Sequence, residues 1–189
     1  MKLLPAFLAL SASCVLLASA GEAAAFERQW HAGGGLGLRP TSIAGASAQG
    51  VAPLFVANLT YGLTDTFDVY AEVGLAYPGF TRGIEATRTL ATTGDLGVVY
   101  TLDVLRVVPY LGVFGGVHHV NAFTLAAPDG TARSFGGTGL DLGAAFGARY
   151  QWDRTLAFGA DLRYHRPLLL PDTTQAMGLF VSAAYTWGY

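Results

Sequence analysis

From Trp30 onward, apolar residues alternate with small or polar ones at a spacing of two, the pattern of β-strands that turn one apolar face to their surroundings. At the C-terminus, Leu179, Val181, Ala183, Tyr185, Trp187 and Tyr189 fall on one side, and Gly178, Ser182, Thr186 and Gly188 on the other. Further upstream, Phe67, Val69, Ala71, Val73, Leu75 and Tyr77 alternate with Asp68, Tyr70, Glu72, Gly74 and Ala76. A soluble sandwich would bury the first set and solvate the second. The second set is small or charged, which suits a narrow polar lumen equally well.

Eight such segments are predicted, at about 29–38, 53–63, 66–77, 92–102, 107–119, 139–152, 156–165 and 177–189. The connections between them alternate in length. Leu63-Thr64-Asp65, Asp103 to Arg106 and Asp153-Arg154-Thr155 are short turns, whereas the other four connections are longer and rich in Gly, Pro, Ser, Thr and Ala. An even strand number, with short turns at one end and long loops at the other, describes a transmembrane barrel. The predicted fold is therefore all-β: an eight-stranded antiparallel up-and-down transmembrane β-barrel with periplasmic turns and termini and four external loops. Segments of about ten tilted residues are long enough to cross the hydrocarbon. Trp30, Tyr61, Phe67, Tyr77, Tyr100, Tyr150, Trp152, Tyr164, Tyr185, Trp187 and Tyr189 stand near strand ends, where interfacial girdles would put them.

The N-terminus reads as an export address. Lys2 is a short positive region, Leu3 to Leu17 an apolar stretch, and small residues follow, the layout of a cleavable signal peptide. Cleavage fits after Ala20 or after Ala25, the latter preferred, so residues 1–25 are assigned to the signal peptide and 26–189 to one barrel domain. Interruption by Ser11 and Ser13, and the lack of a following charge cluster, argue against a permanent anchor. The residues before Cys14 lack the leucine that opens a lipobox. Cys14 is the one cysteine, so a mature chain has no disulfide and no cysteine-bound metal.

Composition sharpens this picture. Charged residues make up only 13% of the 189 residues, about half the usual share of a soluble domain. A net charge of -2 offers no basic surface for nucleic acid. Every basic residue after Lys2 is arginine, which keeps its charge and pairs bidentately in confined spaces.

Three stretches resemble the small outer-membrane β-barrel superfamily, which includes the transmembrane domain of OmpA, the OmpX/Ail type and neisserial opacity-type proteins. Tyr61-Gly62-Leu63-Thr64-Asp65-Thr66-Phe67-Asp68-Val69 is similar to a strand-turn-strand at a periplasmic turn, and Val108 to Val117 to a glycine-rich fifth strand. The terminal aromatic strand, with Tyr185, Trp187 and Tyr189, resembles the signal read by the barrel-assembly machinery, although that signal most often ends in Phe. The resemblance implies a Gram-negative cell envelope, an outer-membrane location, and outer-membrane lipids and lipopolysaccharide as surroundings. "Porin family" is implied as ancestry rather than activity.

An eight-stranded barrel is about filled by its own side chains. Alternation turns His31, Arg39, Asn58, Asp68, Tyr70, Glu72, Asp95, Asp141, Arg149, Gln151, Asp161, Arg163 and His165 inward. Of these, Asp68, Glu72, Asp95, Asp141, Arg149, Asp161 and Arg163 are the expected lumen charges, forming a structural plug because uncompensated buried charge is costly. A three-residue turn at 153–155 would set Arg149 opposite Gly159 and diagonal to Asp161, within pairing reach.

Catalysis at the membrane edge would need a nucleophile with a nearby His. His165-Arg166-Pro167 has Pro where the resembling lipid A deacylase pattern needs Ser, and His118-His119 alternate faces. No phosphate loop, dinucleotide fingerprint or metal-ligand cluster is present, so no cofactor is expected. Arg82, Glu85, Arg88, Asp129 and Arg133 lie in the second and third external loops, where they would meet lipopolysaccharide phosphates or a partner. The expected function is a noncatalytic envelope barrel that serves structure or surface interaction. A narrow solute channel and a lipid A-modifying enzyme are the alternatives.

Overall fold

A computed structural model describes residues 28–43, 48–82, 85–102, 106–126, 131–168 and 176–188. Residues 1–25, expected to be a signal peptide, with Cys14 among them, and Asp103, Asp129 and Tyr189 lie outside the described residues.

The described residues form ten strands: β1 (Trp30–Ile43), β2 (Ala48–Gly62), β3 (Phe67–Ala76), β4 (Gly79–Arg82), β5 (Glu85–Arg88), β6 (Ala91–Thr101), β7 (Val107–Ala126), β8 (Ala132–Gln151), β9 (Leu156–Leu168) and β10 (Ala176–Trp187). Eight of them form the wall. Each pairs antiparallel with its sequence neighbour, β3 passing over the small β4–β5 hairpin to β6, and β1 pairs with both β2 and β10. That double pairing closes the barrel and leaves no edge in the wall. The result is the closed eight-stranded antiparallel barrel that the alternation predicts.

Hydrogen-bonded pairing runs further than the alternation signalled. β1 continues to Ile43 and β2 begins at Ala48, while β7 and β8 each reach 20 residues and stay paired to Ala126 and Ala132. The connection after β3 is itself structured, with β4 pairing β2 and β5 pairing β4. A backbone ladder persists wherever two chain segments stay adjacent, whether or not one face remains apolar. The β7–β8 register shifts between Val120 and Phe123, and Gly136 and Gly137 opposite it have φ of 127° and 136°. That bulge uses a conformation open to glycine and closed to most side chains.

The turns are fixed by local chemistry. Between β2 and β3, the Thr64 hydroxyl accepts from the Phe67 amide at 3.0 Å. Between β8 and β9, Asp153 Oδ1 accepts from the Thr155 amide at 2.7 Å, the Thr155 hydroxyl at 2.8 Å and the Leu156 amide at 2.8 Å. Such short side chains satisfy turn amides that no ladder reaches.

Faces divide sharply. Leu38, Phe55, Val73, Leu96, Val113, Phe146, Leu162 and Val181 stand exposed on the outside, Leu96 at 70%. The aromatic residues distribute unevenly. Trp30 and Tyr61 (ring centroids 4.7 Å apart), Phe67 and Tyr100 (5.2 Å), Tyr150, Trp152 and Phe158, and Tyr185 and Trp187 all sit at the short-turn end. Only Tyr77 and Tyr164 of the expected set stand toward the loop end, so the described girdle is one-sided.

The core is the lumen. Near the loop end it is apolar, with Ala52, Leu54, Val56, Ala76, Ala91, Val120 and Phe180 in one buried cluster against Phe123. Phe80 stacks on Phe123 at 5.2 Å, and Phe123 meets Phe135 at 5.8 Å. Below this cap the interior is charged.

Candidate functional site

Period-two alternation carries the charged and histidine side chains of six strands into one enclosed space. Asp68, Glu72, Asp95, Asp141, Asp161 and Arg163 are all under 9% exposed, with His31, Arg39, His118 and His165 beside them. Arg149 is somewhat more open, at 16% for its side chain. The remaining inward residues, Asn58, Tyr70 and Gln151, are half-buried.

Arg163 of β9 is the hub. Its Nε donates to Asp161 Oδ1 at 2.6 Å and its Nη1 donates to Glu72 Oε1 across the lumen on β3. The guanidinium carbon lies 4.4 Å from the centre of the Phe180 ring. The Tyr110 hydroxyl donates to the other Asp161 oxygen at 2.8 Å. Charge-assisted bonds of this kind are stronger than neutral ones, and a planar guanidinium suits two carboxylates on different strands.

Arg149 takes a different partner from the expected one. It stands opposite Gly159, as a short turn at 153–155 requires, but its guanidinium is 3.9 Å from Asp68 on β3 and 5.0 Å from the Tyr110 ring centre. Asp161 is already engaged by Arg163 and Tyr110, so the long Arg149 side chain crosses the lumen instead of pairing with its neighbouring strand.

Toward the loop end, His165 Nδ1 lies 2.7 Å from Asp141 Oδ2, and the His165 ring packs 4.9 Å from that of Phe114. Arg39, Asp95 and His118 complete this upper group. His118 faces in and is buried. Its neighbour His119 faces out, where its Nδ1 lies 2.8 Å from the Thr138 hydroxyl. Tyr110, Phe114 and Phe180 were absent from the inward set read from sequence. The same alternation assigns all three inward, and all three are buried.

Among the described residues, the space between these groups is small. A cavity of about 50 Å³ lies among His31, Asn58, Tyr70, Glu72, Tyr110 and Arg149. It has room for a few waters, and is far below the several hundred Å³ of a typical ligand pocket. Among the loop residues, Arg88 is exposed. Arg82, Glu85 and Arg133 occupy strand positions in β4, β5 and β8, with their side chains outside the described set.

The described residues form a closed eight-stranded barrel, apolar outside and lined inside by ion pairs and aromatic rings, a fold also found in small outer-membrane β-barrel proteins. Three solved structures illustrate the likeness. Ail, the attachment invasion locus protein of Yersinia pestis, aligns at 16% identity with a TM-score of 0.58, over 85% of this chain and 99% of Ail. Neisserial surface protein A aligns at 16% identity and 0.60, over 82% and 96%. OprG of Pseudomonas aeruginosa aligns at 12% identity and 0.56, over 86% and 97%. At such identities the likeness is one of fold. No family model matches the sequence, and comparison with curated proteins finds no significant relative.

Proposed function

We propose that this chain is a noncatalytic integral outer-membrane protein that serves envelope structure or presents its loops for surface interaction. In this reading the barrel crosses the bilayer with its short turns and termini in the periplasm and its four loops outside. The observation that carries it is the ion-paired interior formed by the described residues. With Arg163 bound between Glu72 and Asp161 and stacked on Phe180, the interior supports a rigid plug rather than a solute path, which leaves the outer wall and the loops as working surfaces.

The arrangement of His165 supports the noncatalytic part. It points into the lumen, is paired with Asp141, and is followed by Arg166-Pro167, so its own chain neighbours supply no nucleophile at the bilayer-facing wall. Among proteins of this fold, Ail has been solved in complex with the heparin analogue sucrose octasulfate. A surface role for this chain extends that precedent to loops that carry Arg82, Arg88 and Arg133. Lipopolysaccharide and outer-membrane lipids are the proposed surroundings, and the barrel-assembly machinery, reading Tyr185, Trp187 and Tyr189, the proposed partner in biogenesis.

The test is fractionation of cells expressing the full chain, with planar-bilayer recording of the purified product. Heat-modifiable migration in the outer-membrane fraction without a stable large conductance is expected. Recovery as a soluble periplasmic protein overturns the location, and a stable large conductance overturns the plug. A change in lipid A mass on expression overturns the noncatalytic reading.

A further inference from the structure

The loop-end rim of the outer wall is not alike all the way round. Counted from the turn end of their strands, Thr92 is the tenth residue of β6, Arg166 the eleventh of β9, His119 the thirteenth of β7 and Thr138 the fourteenth of β8. About ten tilted residues cross the hydrocarbon, so in a bilayer all four stand at its far edge or just beyond. His119, Thr138 and Arg166 are exposed, and Thr92 is half-buried. The corresponding positions on β1, β2 and β10 are Pro40, Val51 and Met177, which are exposed and apolar.

Pairing joins the polar positions. Thr92 is the partner of His119 across the β6–β7 ladder, and His119 that of Thr138 across the β7–β8 ladder. The three therefore share one row, in which His119 Nδ1 lies 2.8 Å from the Thr138 hydroxyl. Arg166 alternates with the buried His165, so it faces outward, and its ladder partner is Leu142 on β8. On the outer face of β8, Leu140 stands between Leu142 and Thr138. The guanidinium and the hydroxyl–imidazole row thus flank an apolar step, a patch wider than a single phosphate ion would need.

The two rims differ in chemistry as well as in height. The turn-end rim carries the aromatic pairs, among them Trp30 with Tyr61 and Tyr185 with Trp187, and such rings suit the boundary between acyl chains and water. The β6–β9 loop-end rim presents a permanent cation and hydrogen-bonding groups instead. An arginine on the lipid-facing wall is costly at the midplane and cheap near the interface, where its long stem can lie on apolar surface with the charge in the headgroup layer. There a planar guanidinium matches phosphate oxygens two at a time.

We propose that the loop-end outer wall of β6 to β9 is a headgroup seat for lipid A, the acylated and phosphorylated disaccharide of the outer leaflet. Arg166 pairs with a phosphate, while Thr92, His119 and Thr138 hydrogen-bond to the sugar beside it. The acyl chains run down the apolar wall below, past Leu142 and Leu140. This inference rests on the membrane reading above, and it names the side of the barrel that recognises the lipid.

Urea unfolding of the full chain refolded in phosphatidylcholine vesicles, with and without a minor fraction of lipid A, is the test. Phosphatidylglycerol at matched charge is the comparison lipid. A ligand bound only by the folded state raises the folding equilibrium constant about tenfold when present at about ten times its dissociation constant. A gain of that order is expected for the native sequence with lipid A, and clearly less with phosphatidylglycerol. Arg166→Gln is expected to lose most of the gain, and Arg166→Lys to keep part of it, having charge without the fork. The gain is a ratio within each variant, so any intrinsic change in stability cancels. Should Arg166→Gln fail to insert, His119→Leu supplies a second comparison from the other end of the patch, with part of the gain lost. Equal gains for the native sequence and these variants overturn the seat, as does an equal gain from phosphatidylglycerol, which would mean diffuse attraction to negative charge. Failure of the native chain to insert at all overturns the membrane reading and the seat with it, whereas heat-modifiable insertion with equal gains overturns the seat alone.

Discussion

Phe180 fills the space in which a side chain on Gly37 would stand: a β-carbon at Gly37 would lie 2.6 Å from its ring. The same relation recurs between Phe114 and Gly143, and between Tyr70 and Gly97. Inward glycines on one strand are thus sockets for inward aromatic rings on another. This accounts for part of the glycine richness as a packing requirement of a lumen too narrow for two full side chains at one level.

The socket reading predicts that Gly37→Ala destabilises the barrel by about 1–3 kcal/mol through overpacking, and Phe180→Ala by about 3–5 kcal/mol through the cavity left behind. The two substitutions together should cost clearly less than their sum, because each acts on the same contact. Urea midpoints of the refolded variants measure all three. Strict additivity would mean that ring and glycine do not share the space.

Arg163 carries the second prediction. Removing it as Arg163→Met leaves Glu72 and Asp161 buried without their shared cation, and breaking a buried pair in this way costs about 3–5 kcal/mol. Neutralising the whole unit with Glu72→Gln and Asp161→Asn in the same chain should recover most of that loss, since charge-free replacements of buried pairs are often neutral in stability. Arg163→Lys should fall between, having charge without the planar fork. Comparison of unfolding free energies across this set checks the order.

How far the sequence reaches is visible in these residues. Alternation alone places Glu72, Asp161 and Arg163 on the inner face, and the short turn at 153–155 sets Arg149 opposite Gly159. Both are local consequences of a period of two and a turn length. That Arg163 bridges to Glu72, or Arg149 to Asp68, depends on barrel closure and strand tilt, which bring β9 and β8 across from β3. No local pattern encodes that distance. The long β7–β8 hairpin and the β4–β5 hairpin escape for the opposite reason: their ladders outlast the apolar alternation that was the only available marker.

Asp153 gives a pH prediction at the exposed turn. Hydrogen bonds from the Thr155 amide, the Thr155 hydroxyl and the Leu156 amide hold its carboxyl below the usual range. A depressed folded value means that the contribution of this turn is present above the unfolded pKa, about 3.9, and is lost as pH falls through the lower folded value. The Thr155 amide resonance should therefore stay constant from neutral pH down to about pH 4 and move only below it. Asp153→Ala should abolish that movement. A titration centred at or above the ordinary carboxylate value would refute the capped turn.

The outer wall supplies the last prediction, and it separates a membrane barrel from a soluble one. Leu96 is 70% exposed on β6, midway along a strand whose other outward residues include Val98 and Tyr100. In water, Leu96→Arg would cost little, because an exposed surface site accepts charge and the substitution removes an exposed apolar group. In a bilayer the same position faces hydrocarbon, and an arginine near the midplane costs about 2–4 kcal/mol, falling to about 0–1 kcal/mol near the interface. Leu63→Arg, in the turn between β2 and β3 and 50% exposed, is the matched control at the membrane edge. Reversible folding into vesicles should rank native, Leu63→Arg and Leu96→Arg in falling stability, with the large step at Leu96. Equal cost at the two sites would mean that no hydrocarbon covers the middle of the wall, and the transmembrane assignment would fall with it.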